Sequence, residues 1–421
     1  MRGVNWCSPP RPFKKFSKPD DPGHPAVRLS RDGVLILALS LLSALTPLAI
    51  DMALPGFQHL ERDLGLAPGG GAGTVGIFLL GYALGPLWFG PLSDSLGRKP
   101  VLYAGVLLFS AGGMLCFAAT RGDLFMAGRL VQGVGAGICS AIPLAVVRDR
   151  FEGLRGRRVL TLITLVMGIA PVVAPLIGSL VVASLGWRHV FSVLWIIGLL
   201  LLVFVALGLG ESRPPSGAGA AIRPMVRAYG EALGNRLFLG YTLGNGFSVA
   251  CMFAFITASP AVFMGQYGIS VAGYGMIFAA IAAGIMAGAL FNDRLLAAGL
   301  SPRMILVGAL LGSAGSALLL LASGLAGAGS AATTLGLLVI NNLCSGLIRP
   351  NATHEAMQPL PHIAGSASAL FRGAQMLFGA LAAAWVGAAA SGQALTAMGA
   401  VMSFAALLAL ASFRWAHRPG P

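Results

Sequence analysis

Charge is what this chain has least of. Only 10% of its 421 residues are Asp, Glu, Lys or Arg, against about 25% in an ordinary soluble domain, while 56% are hydrophobic. A water-facing surface cannot be built from so few charges, which excludes a soluble globular domain. Cysteine is scarce too. The five present (Cys7, Cys116, Cys139, Cys251 and Cys344) show no CxxC spacing and four lie in apolar runs, so they read as small packing residues and neither a disulfide frame nor a metal site is expected. Histidine is missing from the interior of those runs: His24, His59, His189, His354, His362 and His417 all fall in loops or at helix ends. No metal or hydrolase constellation can be drawn from them, so the chain is read as non-enzymatic and without a cofactor. Segments of about ten residues with alternating polarity, the mark of a transmembrane β-barrel, are also lacking.

What the chain does have is twelve continuous apolar runs, at 34–56, 74–93, 101–120, 124–147, 159–184, 189–210, 237–263, 272–291, 303–324, 331–349, 363–389 and 394–413. Each reaches roughly 20 residues, enough to cross a hydrocarbon core of about 30 Å as a helix. The expected fold class is therefore an all-α polytopic membrane protein with twelve transmembrane helices. The longest interior polar segment, 211–236, divides the runs into two sets of six. It reads as a cytoplasmic linker between six-helix bundles at 34–210 and 237–413, with a polar, Pro-rich N-terminal segment at 1–33 and a tail at 414–421. No signal peptide is expected, because the first run is too long and carries no small-residue cleavage site. A weak internal repeat supports two pseudo-symmetric halves: Ser93-Asp-Ser-Leu-Gly-Arg98 closes the second span, and Asn292-Asp-Arg294 with Gly299 and Arg303 closes the eighth.

The net charge of +14, from 28 Lys and Arg against 14 Asp and Glu, would suggest nucleic acid in a soluble protein. Topology explains it better. With the N-terminus inside, 23 of the basic residues fall on the cytoplasmic side and three (Arg62, Arg121 and Arg188) outside. The positive-inside rule then places both termini in the cytoplasm. The expected partners are the lipid bilayer and a small-molecule substrate, with no nucleic acid, and a monomer is expected.

Gly90-Pro-Leu-Ser-Asp-Ser-Leu-Gly-Arg-Lys-Pro100 stands where the second span meets the cytoplasm and turns into the third. Gly97 permits the turn, Arg98 and Lys99 face the anionic inner leaflet, and Asp94 can meet the positive N-terminus of a neighbouring helix. This run resembles the inner-loop signature of the major facilitator superfamily. Ala49-Ile-Asp-Met-Ala-Leu-Pro-Gly56, Arg129-Leu-Val-Gln-Gly-Val-Gly135, Val147-Arg-Asp-Arg150 and Ala170-Pro-Val-Val-Ala-Pro-Leu-Ile-Gly178 resemble the signatures of twelve-helix drug:proton antiporters. Met252-Phe-Ala-Phe-Ile-Thr-Ala-Ser-Pro260 and Pro361-His-Ile-Ala-Gly-Ser-Ala-Ser-Ala369 are similar to the bicyclomycin and chloramphenicol resistance (Bcr/CflA) branch. The resemblance implies the major facilitator fold and proton-driven export across a bacterial inner membrane. It also implies a cytoplasmic gate in which Asp94 holds the start of the eleventh span near Ile363 and Arg98 bridges to Asp149, contacts that stabilise the outward-facing state. Pro171, Pro175 and Gly178 permit a bend in the fifth span, where Ser179 replaces the second glycine that is usual there.

Asp51 is the one carboxylate deep within an apolar run, and an ionisable group there costs at least ~2.5–3.5 kcal/mol unless paired or hydrated. At about 1.5 Å per residue Arg129 lies at matching depth. The pair is expected to carry the transported proton, Asp51 changing protonation as its access or its distance from Arg129 changes; the alternative is a permanent structural ion pair. Arg372 falls near the midplane, where transporter substrates bind. It reads as a substrate contact, a second partner for Asp51, or a charge packed against inter-helix carbonyls. Gln132, Asn245, Asn341 and Gln375 are polar candidates for a substrate cavity, or hydrogen-bonded links between helices. Met52, Phe78, Tyr82, Met167, Met252 and Phe255 are candidates for its adaptable apolar wall.

Two interior arginines against one acid give a cavity of net positive charge, which disfavours a strictly cationic cargo. The function expected is proton-driven export of neutral or zwitterionic amphipathic drugs of the phenicol, bicyclomycin or sulfonamide kind. The alternative is an exporter of an amino acid, short peptide or other metabolite.

Overall fold

The structure, a computed structural model, describes residues 31–151, 153–212, 222–389 and 393–417. Residues 1–30 of the expected N-terminal segment, 213–221 of the expected linker and 418–421 of the tail lie outside the described residues.

Long apolar runs with no water to satisfy the backbone must bond internally, and they do so as helices. The chain forms α1 (Arg31–Asp51), α2 (Phe57–Asp63), α3 (Gly70–Leu96), α4 (Arg98–Ala118), α5 (Gly122–Arg150), α6 (Gly153–Leu185) and α7 (Arg188–Gly208). After these come α8 (Ile222–Gly234), α9 (Arg236–Pro260), α10 (Val271–Ala297), α11 (Pro302–Leu325), α12 (Ala331–Met357), α13 (Ala364–Ala389) and α14 (Ala394–Ala416). Twelve spans among the described residues are long and apolar enough to cross a membrane, the short α2 continuing the first, and no strand is present among those residues.

Most boundaries shift from the sequence reading by a few residues, and three differences bear on the site. The first helix ends at Asp51 rather than running to 56, because Pro55 opens a short 3-10 turn at Leu54–Gly56. The tenth span continues to Met357 rather than stopping at 349. Its last turns are polar, so hydropathy loses them, yet Asn351, Ala352 and Ala356 bury one edge, and Asn351 Nδ2 donates to Asn292 Oδ1 of α10 at 2.6 Å. The interval between the halves is not all linker, since α8 occupies its C-terminal part.

Within each half, glycines let backbones touch. A Cβ built on Gly81, Gly133 or Gly137 would overlap the carbonyl of Leu130, Phe78 or Tyr82 across the α3/α5 contact. In the second half, Gly288 and Gly346 stand the same way against Leu343 and Ile285 across α10/α12. Spans two and four thus pack as spans eight and ten do, through small residues at the backbone interface. Turns at one end of the bundle repeat as well, with Gly97 at φ +97° after α3 and Gly299 at φ +88° after α10, backbone conformations that favour glycine.

The two halves meet along α3/α13 and α6/α10. Their tightest approaches lie at the end of the bundle opposite Gly97. A Cβ on Gly387 would come 2.9 Å from the Gly69 carbonyl, one on Gly76 3.1 Å from the Ala380 carbonyl, and one on Gly275 2.7 Å from Ser179 Oγ. Nearer the Gly97 end the contacts between the halves are made through side chains at ordinary van der Waals distance, 3.5 Å from a Cβ on Gly373 to Leu87 and 3.9 Å from one on Gly168 to Met286. The halves therefore approach most closely at the end that carries Gly186, the turn between α6 and α7.

Candidate functional site

A cavity of about 210 Å³ lies between the halves. Its wall takes Thr46, Pro47, Ile50 and Asp51 from α1, Tyr82 from α3, and Met167 and Pro171 from α6. The second half supplies Met252, Phe253, Phe255 and Ile256 from α9, Phe278, Ala282 and Ile285 from α10, Asn342 and Arg349 from α12, and Met376 from α13. Phe255 stacks on Phe278 with ring centroids 5.4 Å apart and planes 24° from parallel. Tyr82 is fixed by a 2.6 Å hydrogen bond between its hydroxyl and that of Ser140.

Asp51 sits at the last residue of α1, 4% exposed. It makes no ion pair or hydrogen bond with another side chain among the described residues. Its position is set from behind: a Cβ on Gly178 of α6 would overlap the Met52 carbonyl, so only glycine lets α6 press against the chain where the first helix breaks. Pro175 is buried on the same helix and its carbonyl faces Gly275 across the half-to-half contact.

The expected pairing of Asp51 with Arg129 is not formed. Arg129 is fully buried, its guanidinium 4.4 Å above the Phe78 ring and 5.7 Å from that of Phe191. Nη1 donates to the Ala49 carbonyl at 3.1 Å and to Gln132 Oε1 at 2.8 Å, while Nε and Nη2 have no hydrogen-bond partner. The local reason lies in the break after Asp51. The Ala53 N–H turns to the Ile50 carbonyl instead of continuing the helical ladder to Ala49, which leaves the Ala49 carbonyl for Arg129. Arg129 therefore holds the end of the first helix by its backbone, two residues from the carboxylate, rather than by charge.

Of the other candidates, Tyr82, Met167, Met252 and Phe255 line the cavity with Asp51 and Pro171. Met52 is 1% exposed and packs behind the cavity against α6, and Phe78 and Gln132 serve Arg129. Asn341 joins α12 to α11, its Nδ2 donating to the Ser313 carbonyl at 3.1 Å and to Ser316 Oγ at 3.0 Å. Asn245 lines a separate void of about 10 Å³ beside Tyr241. Arg372 is exposed and does not line the central cavity, nor does Gln375. The cavity cation is Arg349, the last residue of the apolar run 331–349 and one of the 23 basic residues expected on the cytoplasmic side. At the polar end of an apolar run it is indistinguishable by sequence from a loop residue, and only the extension of α12 brings it inside.

At the other candidate position, Arg98 Nε donates to Asp149 Oδ2 at 3.0 Å and Nη1 to Ser93 Oγ at 2.6 Å. Both charged partners belong to the first half, so this pair does not by itself report how the two halves are disposed. The side chain of Asp94 lies outside the described residues. A Cβ at Gly90 would meet nothing within 4 Å. Lys99, expected to face lipid headgroups, instead donates from Nζ to the Ala206 carbonyl at 3.0 Å, satisfying the last turn of α7. Glu211, which the sequence reading did not single out, accepts from the backbone N–H groups of Arg98 at 2.9 Å and Lys99 at 3.1 Å. Its carboxylate caps α4, and its position just after the sixth apolar run, on the Gly97 side, was the available signal.

Twelve antiparallel spans in two halves around a midline cavity define a polytopic α-helical membrane transporter. The chain belongs to the Major Facilitator Superfamily, whose family profile matches residues 39–383. It is 29% identical over 386 residues to the uncharacterized transporter YdgK of Bacillus subtilis, covering 90% of this chain and 94% of that one. It is 31% identical over 334 residues to the multidrug resistance protein MdtL of Citrobacter koseri, covering 79% and 83%. Solved structures share the fold: a bacterial homologue of the human lysosomal transporter Spinster, inward-facing and occupied, superposes with TM-score 0.70 at 15% identity over 93% of this chain and 97% of that one. The nucleoside transporter NupG matches with TM-score 0.70 at 13% identity, covering 90% and 99%.

Proposed function

We propose that this chain exports small amphipathic molecules in exchange for protons, as a Bcr/CflA-type drug:proton antiporter. In this reading it sits as a monomer in a bacterial inner membrane, with both termini cytoplasmic, and rocks its two halves about the central cavity. The observation that carries the reading is Asp51, the sole carboxylate on the cavity wall, which has no ionic partner among the described residues. An ionised acid there is costly unless a cation or water meets it, which gives Asp51 a chemical reason to exchange a proton as access alternates. The MdtL relatives, described as multidrug resistance proteins, support export of drugs. The charge pattern supports placing the Gly97 end in the cytoplasm, which makes the present arrangement inward-facing.

The cargo is then a neutral or zwitterionic antibiotic of the phenicol, bicyclomycin or sulfonamide kind. The cavity charge differs from the sequence expectation: Asp51 and Arg349 line it, while Arg129 and Arg372 do not. It is neutral when both groups are ionised and carries a single positive charge when Asp51 is protonated, so a lone cation gains little there. Export of an amino acid, short peptide or other metabolite is the second reading, favoured by the presence of both charge signs in one cavity. In this mechanism the part-buried Arg98–Asp149 pair and Glu211 keep the cytoplasmic end of the first half rigid, and Asp94 holds the start of α13 when that end closes, as the family resemblance implies.

Everted membrane vesicles with an imposed proton gradient test the reading, using chloramphenicol as probe. Asp51→Asn is expected to lower gradient-driven uptake at least tenfold while the protein still inserts and purifies as a folded species. Full export by that variant removes Asp51 from the mechanism. Transport insensitive to an uncoupler in the native protein ends the antiport reading.

A further inference from the structure

Arg349 is half-buried on α12, and it lines the same cavity as Asp51 of α1. The only hydrogen bond of its guanidinium among the described residues is from Nη2 to the Met252 sulfur at 2.9 Å. A thioether is a weak acceptor, and a guanidinium carries five donors arranged to grip a carboxylate by two parallel bonds. No carboxylate besides Asp51 lines this cavity, and Asp51 and Arg349 form no ion pair with each other. The other two arginines within the spans are elsewhere, Arg129 sealed behind Phe78 and Arg372 exposed. Apart from Thr46, Tyr82 and Asn342, the rest of the wall is apolar and partly aromatic, with Phe255 and Phe278 stacked and Met167 and Met376 lining the space.

We propose that Asp51 and Arg349 make the central cavity a site for amphipathic zwitterions, the cargo's ammonium group meeting Asp51 and its acidic group meeting Arg349. The proposal deepens the transport reading and rests on it for calling the ligand cargo. A cation on one half and an anion on the other are bridged only by a ligand that carries both opposite charges, so such a ligand also draws the halves together. A lone cation leaves the desolvated guanidinium uncompensated, and a lone anion meets the Asp51 carboxylate. The ammonium pairs with Asp51 only after the carboxyl has given its proton to cavity water, so proton and cargo exclude each other at this residue. That is the relation an exchanger requires.

The test is equilibrium binding to the purified full chain in detergent, with no proton gradient. The probes are two aromatic zwitterions, biphenylalanine, whose charges are adjacent, and aminomethylbiphenylcarboxylate, whose charges lie at opposite ends. Each is compared with its N-acetyl form, which keeps the acid alone, and its amide, which keeps the amine alone. At least one zwitterion is expected to bind about tenfold or more tighter than both of its single-charge derivatives. Arg349→Gln should weaken that zwitterion at least fivefold and bring it to the level of its amide, whose own affinity holds or rises as the like charge is removed, and Arg349→Lys should restore part of the zwitterion's loss. Asp51→Asn should bring it down to the level of the N-acetyl form. If neither zwitterion exceeds its derivatives, or if Arg349→Gln weakens every form equally, Arg349 merely neutralises Asp51 or supports packing and the proposal is overturned. Because no gradient is used, a zwitterion preference with uncoupler-insensitive vesicle transport would overturn the antiport reading alone. Coupled transport without the preference would overturn this one alone.

Discussion

Arg129 illustrates how little a matching depth says about a partner. A fully buried guanidinium needs acceptors, and it takes a backbone carbonyl, a glutamine oxygen and the face of a phenylalanine in place of the carboxylate nearby. Arg129→Ala should leave the Ala49 carbonyl and the Gln132 amide oxygen without their donor and cost roughly 1–3 kcal/mol, seen as a lower unfolding temperature in detergent. Arg129→Lys should recover little of it, because an ammonium cannot both stack on Phe78 and reach two acceptors. A native-like unfolding temperature in both variants would show the guanidinium to be dispensable to the first helix. Gly178 is the complementary case, where the absent atom matters. Gly178→Ala places a methyl against the Met52 carbonyl, and overpacking of this kind costs typically about 1–3 kcal/mol. It should also impair transport more than an alanine at the open position Gly90, compared in the vesicle assay at equal protein level.

At the scale of elements, the helices owe their arrangement to glycines and to caps. The carbonyl-to-glycine contacts of α3 with α5, and of α10 with α12, explain why the sequence abounds in Gly without any phosphate-binding loop. Glu211 ties the interval after α7 to the first turn of α4 through two backbone amides. Glu211→Ala should lower stability by about 0.5–2 kcal/mol, the range for loss of a capping acceptor, measured as a drop in unfolding temperature. An unchanged temperature would assign the cap no weight. The twelve spans and their order were legible because apolar runs of this length have one outcome in a bilayer. The break at Asp51 and the extra turns of α12 were not. The first depends on Pro55 and on the shape of α6, and the second on a polar helix edge that gains stability only by packing on α10.

For the whole molecule, the decisive feature is where the halves touch. A Cβ built on Gly275 would stand 3.4 Å from Ser179 Cβ, close to the separation a disulfide spans. Ser179→Cys combined with Gly275→Cys should therefore cross-link under mild oxidation, hold the Gly186 end shut and stop transport, with recovery on reduction. Cys116, Cys139, Cys251 and Cys344 are buried and should not interfere, and Cys7 is replaced by serine in the cross-linking variant. Undiminished transport by the fully cross-linked protein would mean that this end need not open. Ser179 stands where the signature that this run resembles usually has glycine, and the small partner Gly275 on α10 makes room for its hydroxyl, so the departure is absorbed across the interface.

The sequence by itself determined the class of this protein. Too few charges for a soluble surface, twelve apolar runs and an asymmetric distribution of Lys and Arg leave one architecture, since hydrophobic length and loop charge act locally and can be read in one dimension. It also marked Asp51, because an acid within an apolar run stands out whatever surrounds it. Only the tertiary structure decided which charges share a space. Whether Arg129, Arg349 or Arg372 faces Asp51 depends on helix rotation and on which helices are neighbours, and neither is encoded in spacing along the chain. The fold turned Arg129 into a backbone clamp, left Arg372 outside the cavity, and brought Arg349 from the end of the tenth apolar run to the wall of the cavity that Asp51 also lines.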